Sequence, residues 1–130
     1  MNRFLIIEDN KMMANILAQL LRKSTNINKL YYAPGVKQAY ALLLRKKIDC
    51  VFLDLNLESP LDGMEILDFI QKQHPDLSVV VVTGDSEIAT VKRVISYNPN
   101  GYIVKPLSLS KVINALMKAN NVSIDANVIP

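Results

Sequence analysis

Short apolar runs without helical periodicity alternate along this chain with stretches in which apolar residues recur three and four positions apart. Arg3-Phe4-Leu5-Ile6-Ile7 is the first run and ends on Glu8-Asp9. Asn10 is placed to cap the helix that follows, in which Met13, Ile16, Leu17, Leu20 and Leu21 form one stripe. A weaker strand runs from Lys29 to Ala33. Pro34-Gly35 then opens a helix with Val36, Ala39, Tyr40, Leu43 and Leu44 at the same spacing. Cys50 to Leu53 is a third strand, followed by Asp54. Ser59-Pro60 signals a turn, Asp62-Gly63 begins a helix lined by Ile66, Leu67 and Ile70, and His74-Pro75-Asp76 stops it. Leu77 to Val82 is the most apolar strand and ends on Thr83-Gly84. Asp85-Ser86 can cap the next helix, with Ile88, Val91 and Ile95 inward. After a turn at Asn98 to Gly101, the strand Tyr102-Ile103-Val104 ends on Lys105-Pro106. Ser108 or Ser110 starts the last helix, striped by Leu109, Val112, Ile113, Leu116 and Met117.

Five strands alternating with five helices, the strands apolar on both faces, predict a parallel sheet covered by helices on each side. The fold class is α/β, doubly wound, and the expected domain covers residues 1–119. Residues 120–130 have no clear periodicity and read as a tail or the start of a linker. No internal repeat is present.

Composition narrows the setting. At 130 residues, with 50% hydrophobic and 21% charged positions, the chain has the length and composition of one globular domain. Cys50 is the sole cysteine and lies in an apolar run, so no disulfide framework exists within the chain and a reducing cytoplasm is expected. Neither a signal peptide nor an apolar run long enough to span a membrane is visible. The net charge of +3 is unevenly spread: residues 1–47 are basic, residues 48–87 carry most of the acids, and the remainder is basic again. Arg45-Lys46-Lys47 reads as a helix end whose cations complement the dipole. Without interleaved aromatics it does not argue for nucleic-acid binding.

Chemistry collects at the strand ends. In open α/β sheets, ligands sit beyond the carboxyl ends of the strands. Those ends carry Glu8 and Asp9, then Asp54, Thr83 and Lys105. Three carboxylates close together repel unless a cation is present. An oxygen-only donor set suits Mg²⁺, which keeps waters and bridges to phosphate oxygens. A lysine and a threonine opposite it could hold the oxygens of a transferred phosphoryl group, with Asp54 as nucleophile.

Glu8-Asp9, Asp54, Thr83-Gly84 and Lys105-Pro106, in this order, resemble the receiver domain of bacterial two-component response regulators, over residues 3 to about 119. The resemblance implies a flavodoxin-like (βα)5 fold with strand order 2-1-3-4-5. It implies that Asp54 accepts a phosphoryl group from a histidine kinase or histidine phosphotransfer protein, chemistry limited to the domain's own phosphorylation and dephosphorylation. Glu8, Asp9, Asp54 and the Asn56 backbone carbonyl would surround Mg²⁺ (or Mn²⁺). Lys105 would contact the phosphoryl group, Thr83 would move to it, and Tyr102 would be the aromatic switch on a face made by helix four, strand five and helix five. That face would bind a downstream partner or an attached output domain, or form a dimer on phosphorylation. Lys105-Pro106 matches the family's cis peptide bond, and Asn56 and Asp85 fall where the family tunes hydrolysis. Glu8 replaces the commoner aspartate, and the loop from Asp54 to Asp62 is one residue longer than usual, which places Glu58 near the site.

Two other readings keep part of this picture: an interaction module that works without phosphorylation, and a truncated receiver of a larger regulator with a DNA-binding or enzymatic output. An aspartyl-phosphate phosphohydrolase fits poorly, because Asp54-Leu55-Asn56 lacks a second aspartate. Dinucleotide binding fails for want of a G-x-G-x-x-G after the first strand. His74 reads as a surface residue, Met12 and Met13 as packing residues, and Cys50 as a buried small hydrophobe.

Overall fold

The three central strands are fixed by runs that bury both of their faces. A computed structural model describes residues 2–84, 88–120 and 122–124, with the side chain of Ile88 excepted. Its strands are β1 (Arg3–Ile7), β2 (Lys29–Ala33), β3 (Cys50–Asp54), β4 (Ser78–Thr83) and β5 (Gly101–Val104). The helices are α1 (Lys11–Ser24), α2 (Val36–Arg45), α3 (Gly63–Gln73), α4 (Ile88–Ser96) and α5 (Leu109–Met117). All pairings are parallel, in the order β2-β1-β3-β4-β5. The fold is flavodoxin-like α/β, as expected.

Alternate strand residues feed two separate cores. Leu5, Ile7, Val51, Leu53, Val79 and Val81 pack with Ala39 and Leu43 of α2, Ile66, Leu67 and Ile70 of α3, and Val94 of α4. Phe4, Ile6, Phe52, Val80, Val82 and Ile103 face Leu17 and Leu21 of α1 and Val112 and Leu116 of α5. Each large side chain buried in this way contributes about 1.5–3 kcal/mol.

The face of α3 is the expected one, Ile66, Leu67 and Ile70, and the other helices depart from their stripes in part. In α1 the face against the sheet is Ala14, Leu17, Ala18 and Leu21, while Ile16 is 39% exposed. Leu44 of α2, Ile95 of α4 and Met117 of α5 also point outward, and Thr90 and Val94 take the inward positions of α4. Met12 is exposed rather than packed. Asn10 and Ser108 cap α1 and α5, accepting from the Met13 and Lys111 amides.

The chain beyond α5 turns back onto the amino ends of the strands. Asn2, buried, donates to the Thr25 hydroxyl at 2.7 Å and accepts from the Ser123 amide at 3.0 Å. The Asn120 amide donates to Ser78 Oγ, and Val122 and Ile124 pack against the α1–α5 core.

Candidate functional site

The carboxyl ends of β1, β3, β4 and β5 bring Glu8, Asp9, Asp54, Thr83 and Lys105 to one rim. Asp54 and Thr83 are the last residues of their strands, so their backbones are held by the ladder and their side chains are almost fully buried. The Asn56 amide donates to Asp54 Oδ1 at 3.0 Å, which orients the carboxylate. Glu8 is tied on both sides: its amide donates to the Ala33 carbonyl, and its Oε2 accepts from the Asn10 amide at 3.1 Å. Asp9 is exposed.

Lys105 closes the rim from β5. Its Nζ lies 3.0 Å from Glu8 Oε1 and 3.0 Å from Asp54 Oδ2, an ammonium shared by two buried carboxylates. Lys111 holds the turn that carries it, donating to the Val104 and Pro106 carbonyls at 2.9 Å each. The Lys105-Pro106 bond is cis, as the resemblance implied.

The charges disturb one another. Burial and the contact with Asp54 push the Glu8 carboxyl up to about 7, against the opposing pull of the Asn10 amide and Lys105. Burial alone would lower Lys105, yet its bonds to Glu8 and Asp54 raise it above its ordinary value. Three carboxyl groups thus share the rim with one ammonium.

Glu8, Asp9 and Asp54 each present an oxygen, and these oxygens lie within 4.8 Å of one another. This hard, oxygen-only set fits Mg²⁺ or Mn²⁺ and could hold either. Glu58 does not join the cluster. Its carboxylate turns towards the start of α2, where a Cβ added to Gly35 would come within 2.5 Å of Glu58 Oε1.

The Asn56 side-chain oxygen is held by its own loop, Oδ1 accepting from the Leu61 amide at 2.8 Å. Tyr102 lies half-buried on β5, packed against the α2–α4 core. Asp85 lies outside the described residues, as does the expected cap of α4. Cys50 is fully buried, and burial raises its thiol pKa. His74 is half-buried, its ring 5.6 Å from that of Phe69 at the opposite end of the sheet.

Sequence reasoning passed over Asp62, which it read only as the start of a helix. Asp62 holds the N-cap position of α3 without capping it. Its carboxylate turns back and accepts from the amides of Leu57, Glu58 and Ser59. An aspartate before a glycine gives no signal that separates these two uses.

Comparison with known proteins agrees with this geometry. A family model described as response regulator receiver domain matches residues 4–117. The chain is 32% identical over 120 residues to a putative NtrX-like response regulator of Rickettsia bellii, covering 92% of this chain and 25% of that relative. It thus spans about a quarter of the length of the first curated relatives it matches. The solved structure of NtrX from Brucella abortus is 30% identical, with a TM-score of 0.78 over 90% of this chain and 26% of that one. A response regulator from Burkholderia pseudomallei, solved with a phosphorylated aspartic acid, a calcium ion and citrate, is 26% identical. Its TM-score is 0.76, over 89% of this chain and 66% of that one. By sequence, fold and the acidic pocket of Glu8, Asp9 and Asp54, this chain belongs to the response regulator receiver domains of two-component signalling.

Proposed function

We propose that Asp54 takes a phosphoryl group from the phosphohistidine of a sensor histidine kinase or histidine phosphotransfer protein. A carboxylate oxygen of Asp54 forms the new P–O bond as the P–N bond breaks, and the imidazole leaves with the electron pair. The observation that carries this reading is the buried Asp54 carboxylate, 3.0 Å from Lys105 Nζ and within the Glu8–Asp9 pocket. Glu8, Asp9, Asp54 and the Asn56 carbonyl are the proposed metal ligands. A bound Mg²⁺ or Mn²⁺ supplies positive charge that offsets both the carboxylates and the incoming phosphoryl oxygens. Lys105 holds one phosphoryl oxygen, and the Thr83 hydroxyl donates to another after transfer.

Closure of Thr83 lets Tyr102 change packing and alters the face of α4, β5 and α5. That face engages a downstream partner, an attached output domain or a second copy of the chain. The domain itself contacts neither nucleic acid nor membrane, and it works in the cytoplasm, a reducing compartment that suits the lone Cys50. Asp85 and Asn56 tune hydrolysis, giving an acyl phosphate that lasts seconds to minutes.

The test is an amide NMR spectrum with Mg²⁺, before and after beryllofluoride, for wild type and Asp54→Asn. Shifts at Thr83 and Tyr102 in the wild type alone are expected. An unchanged wild-type spectrum would overturn the proposal.

A further inference from the structure

We infer that Asp62 is a positioning residue for the metal site, acting through the peptide that joins Asn56 to Leu57. This rests on the reading that the Asn56 carbonyl is a metal ligand. A peptide unit is planar and trans, so its N–H and C=O point in opposite directions. The Leu57 amide donates to Asp62 Oδ1 at 2.8 Å. That bond fixes the plane of the Asn56–Leu57 peptide, and with it the direction in which the Asn56 carbonyl looks.

The rest of the loop is built to keep that plane still. Asp62 Oδ2 accepts from the Glu58 and Ser59 amides at 3.0 and 3.1 Å. Asn56 is held from its other side, its amide on Asp54 Oδ1 and its side-chain oxygen on the Leu61 amide. Leu61 has a φ of 60°, a left-handed conformation that costs a leucine about 1–2 kcal/mol. The turn stays wound because the Asp62 and Asn56 side chains hold its amides. Without Asp62 three amides lose their acceptor together, the turn relaxes, and the Asn56 carbonyl loses its fixed aim while the three carboxylates stay in place.

Titration calorimetry with Mg²⁺ on the whole chain tests this, using wild type, Asp62→Ala, Asp62→Asn and Asp9→Asn. Outer groups that orient metal ligands are typically worth about 10–100-fold in affinity, so Asp62→Ala should bind Mg²⁺ at least about tenfold more weakly. Asp62→Asn keeps one oxygen for the Leu57 amide and should stay within about threefold of wild type, because the peptide plane is still held. Asp49→Ala, at the opposite end of the sheet, lowers the melting temperature without touching the loop and should leave Mg²⁺ affinity unchanged.

Equal affinity in wild type and Asp62→Ala, alongside a loss in Asp9→Asn, would overturn the inference and leave the metal reading intact. An equal loss in Asp62→Ala and Asp49→Ala would reduce the role of Asp62 to general stability. A wild type that does not bind Mg²⁺ would overturn both readings. If Asp62→Ala fails to fold, Asp62→Ser, whose oxygen sits one bond nearer the backbone and falls short of the Leu57 amide, carries the same expectation and the same refutation.

Discussion

Replacing Gly63 by alanine should strain the phosphoacceptor strand and the start of α3 together. The Gly63 amide donates to the Leu55 carbonyl at 2.8 Å, which draws the helix onto the end of β3. A Cβ at Gly63 would lie 2.7 Å from Leu55 Cα, 3.0 Å from the Leu55 oxygen, and closer still to the Asp54 carbonyl oxygen. Carbon atoms pack comfortably at about 3.5–4.0 Å, so α3 and β3 must separate by roughly 1 Å. Every atom met is backbone, and no side chain can rotate away. Overpacking typically costs about 1–3 kcal/mol. The gain in helix propensity, at most about 1 kcal/mol in a helix interior, is smaller at a first helical residue. A net loss of about 1–2 kcal/mol follows, or about 5 °C in melting temperature for a chain of this size.

Urea unfolding should show a lower midpoint with an unchanged slope. Phosphorylation by a small-molecule donor should slow as well, because the displaced atoms belong to Asp54 and Leu55. Gly84→Ala is the matched control, since a Cβ there meets nothing described within 4 Å. Gly63→Ala as stable as wild type would refute the close approach of α3 to β3.

Other outcomes follow from the same geometry. Lys105→Ala leaves Glu8 and Asp54 without their shared ammonium and should abolish phosphorylation while Mg²⁺ binding persists, as calorimetry would show. Asp49 is raised by burial, but its hydrogen bonds and charge contact with Arg3 outweigh this and hold it below its ordinary 3.8. A depressed carboxylate contributes stability that is full above the unfolded value and is lost as pH falls through the folded one. Asp49→Asn should therefore flatten the acid limb of stability below about pH 4, read by urea midpoints across pH. Removing residues 120–130 strips Asn2 and Thr25 of Ser123 and uncovers the packing of Val122 and Ile124. Losing partners for buried polar groups costs about 1–3 kcal/mol each, so the midpoint should fall clearly. Asp85→Ala should lengthen the phosphorylated lifetime, followed by loss of phosphate from purified protein.

The sheet was legible because parallel strands buried on both faces leave unbroken apolar runs, and the fold rule then gathers their ends. That rule alone puts Asp54, Thr83 and Lys105 on one rim. The face of α1 was less legible, because a count of large apolar residues overlooks Ala14 and Ala18. Ala14 and Ala18 let α1 approach the sheet closely, and that turns Ile16 outward. Asp62 was hidden for a different reason: cap and loop clamp use the same residue type at the same position, and only the direction of the carboxylate separates them. The return of residues 122–124 to Asn2 was also invisible, since it rests on polar pairs far apart in the chain with no periodic mark.

Asp54, the proposed phosphoacceptor, can be identified chemically. The wild-type protein, incubated with acetyl phosphate and Mg²⁺ and then reduced with borohydride, converts an aspartyl phosphate to homoserine that peptide mass spectrometry can locate. Homoserine at position 54, dependent on Mg²⁺ and absent without the donor, is the predicted result. An unmodified Asp54, or the label on another carboxylate, would contradict the account.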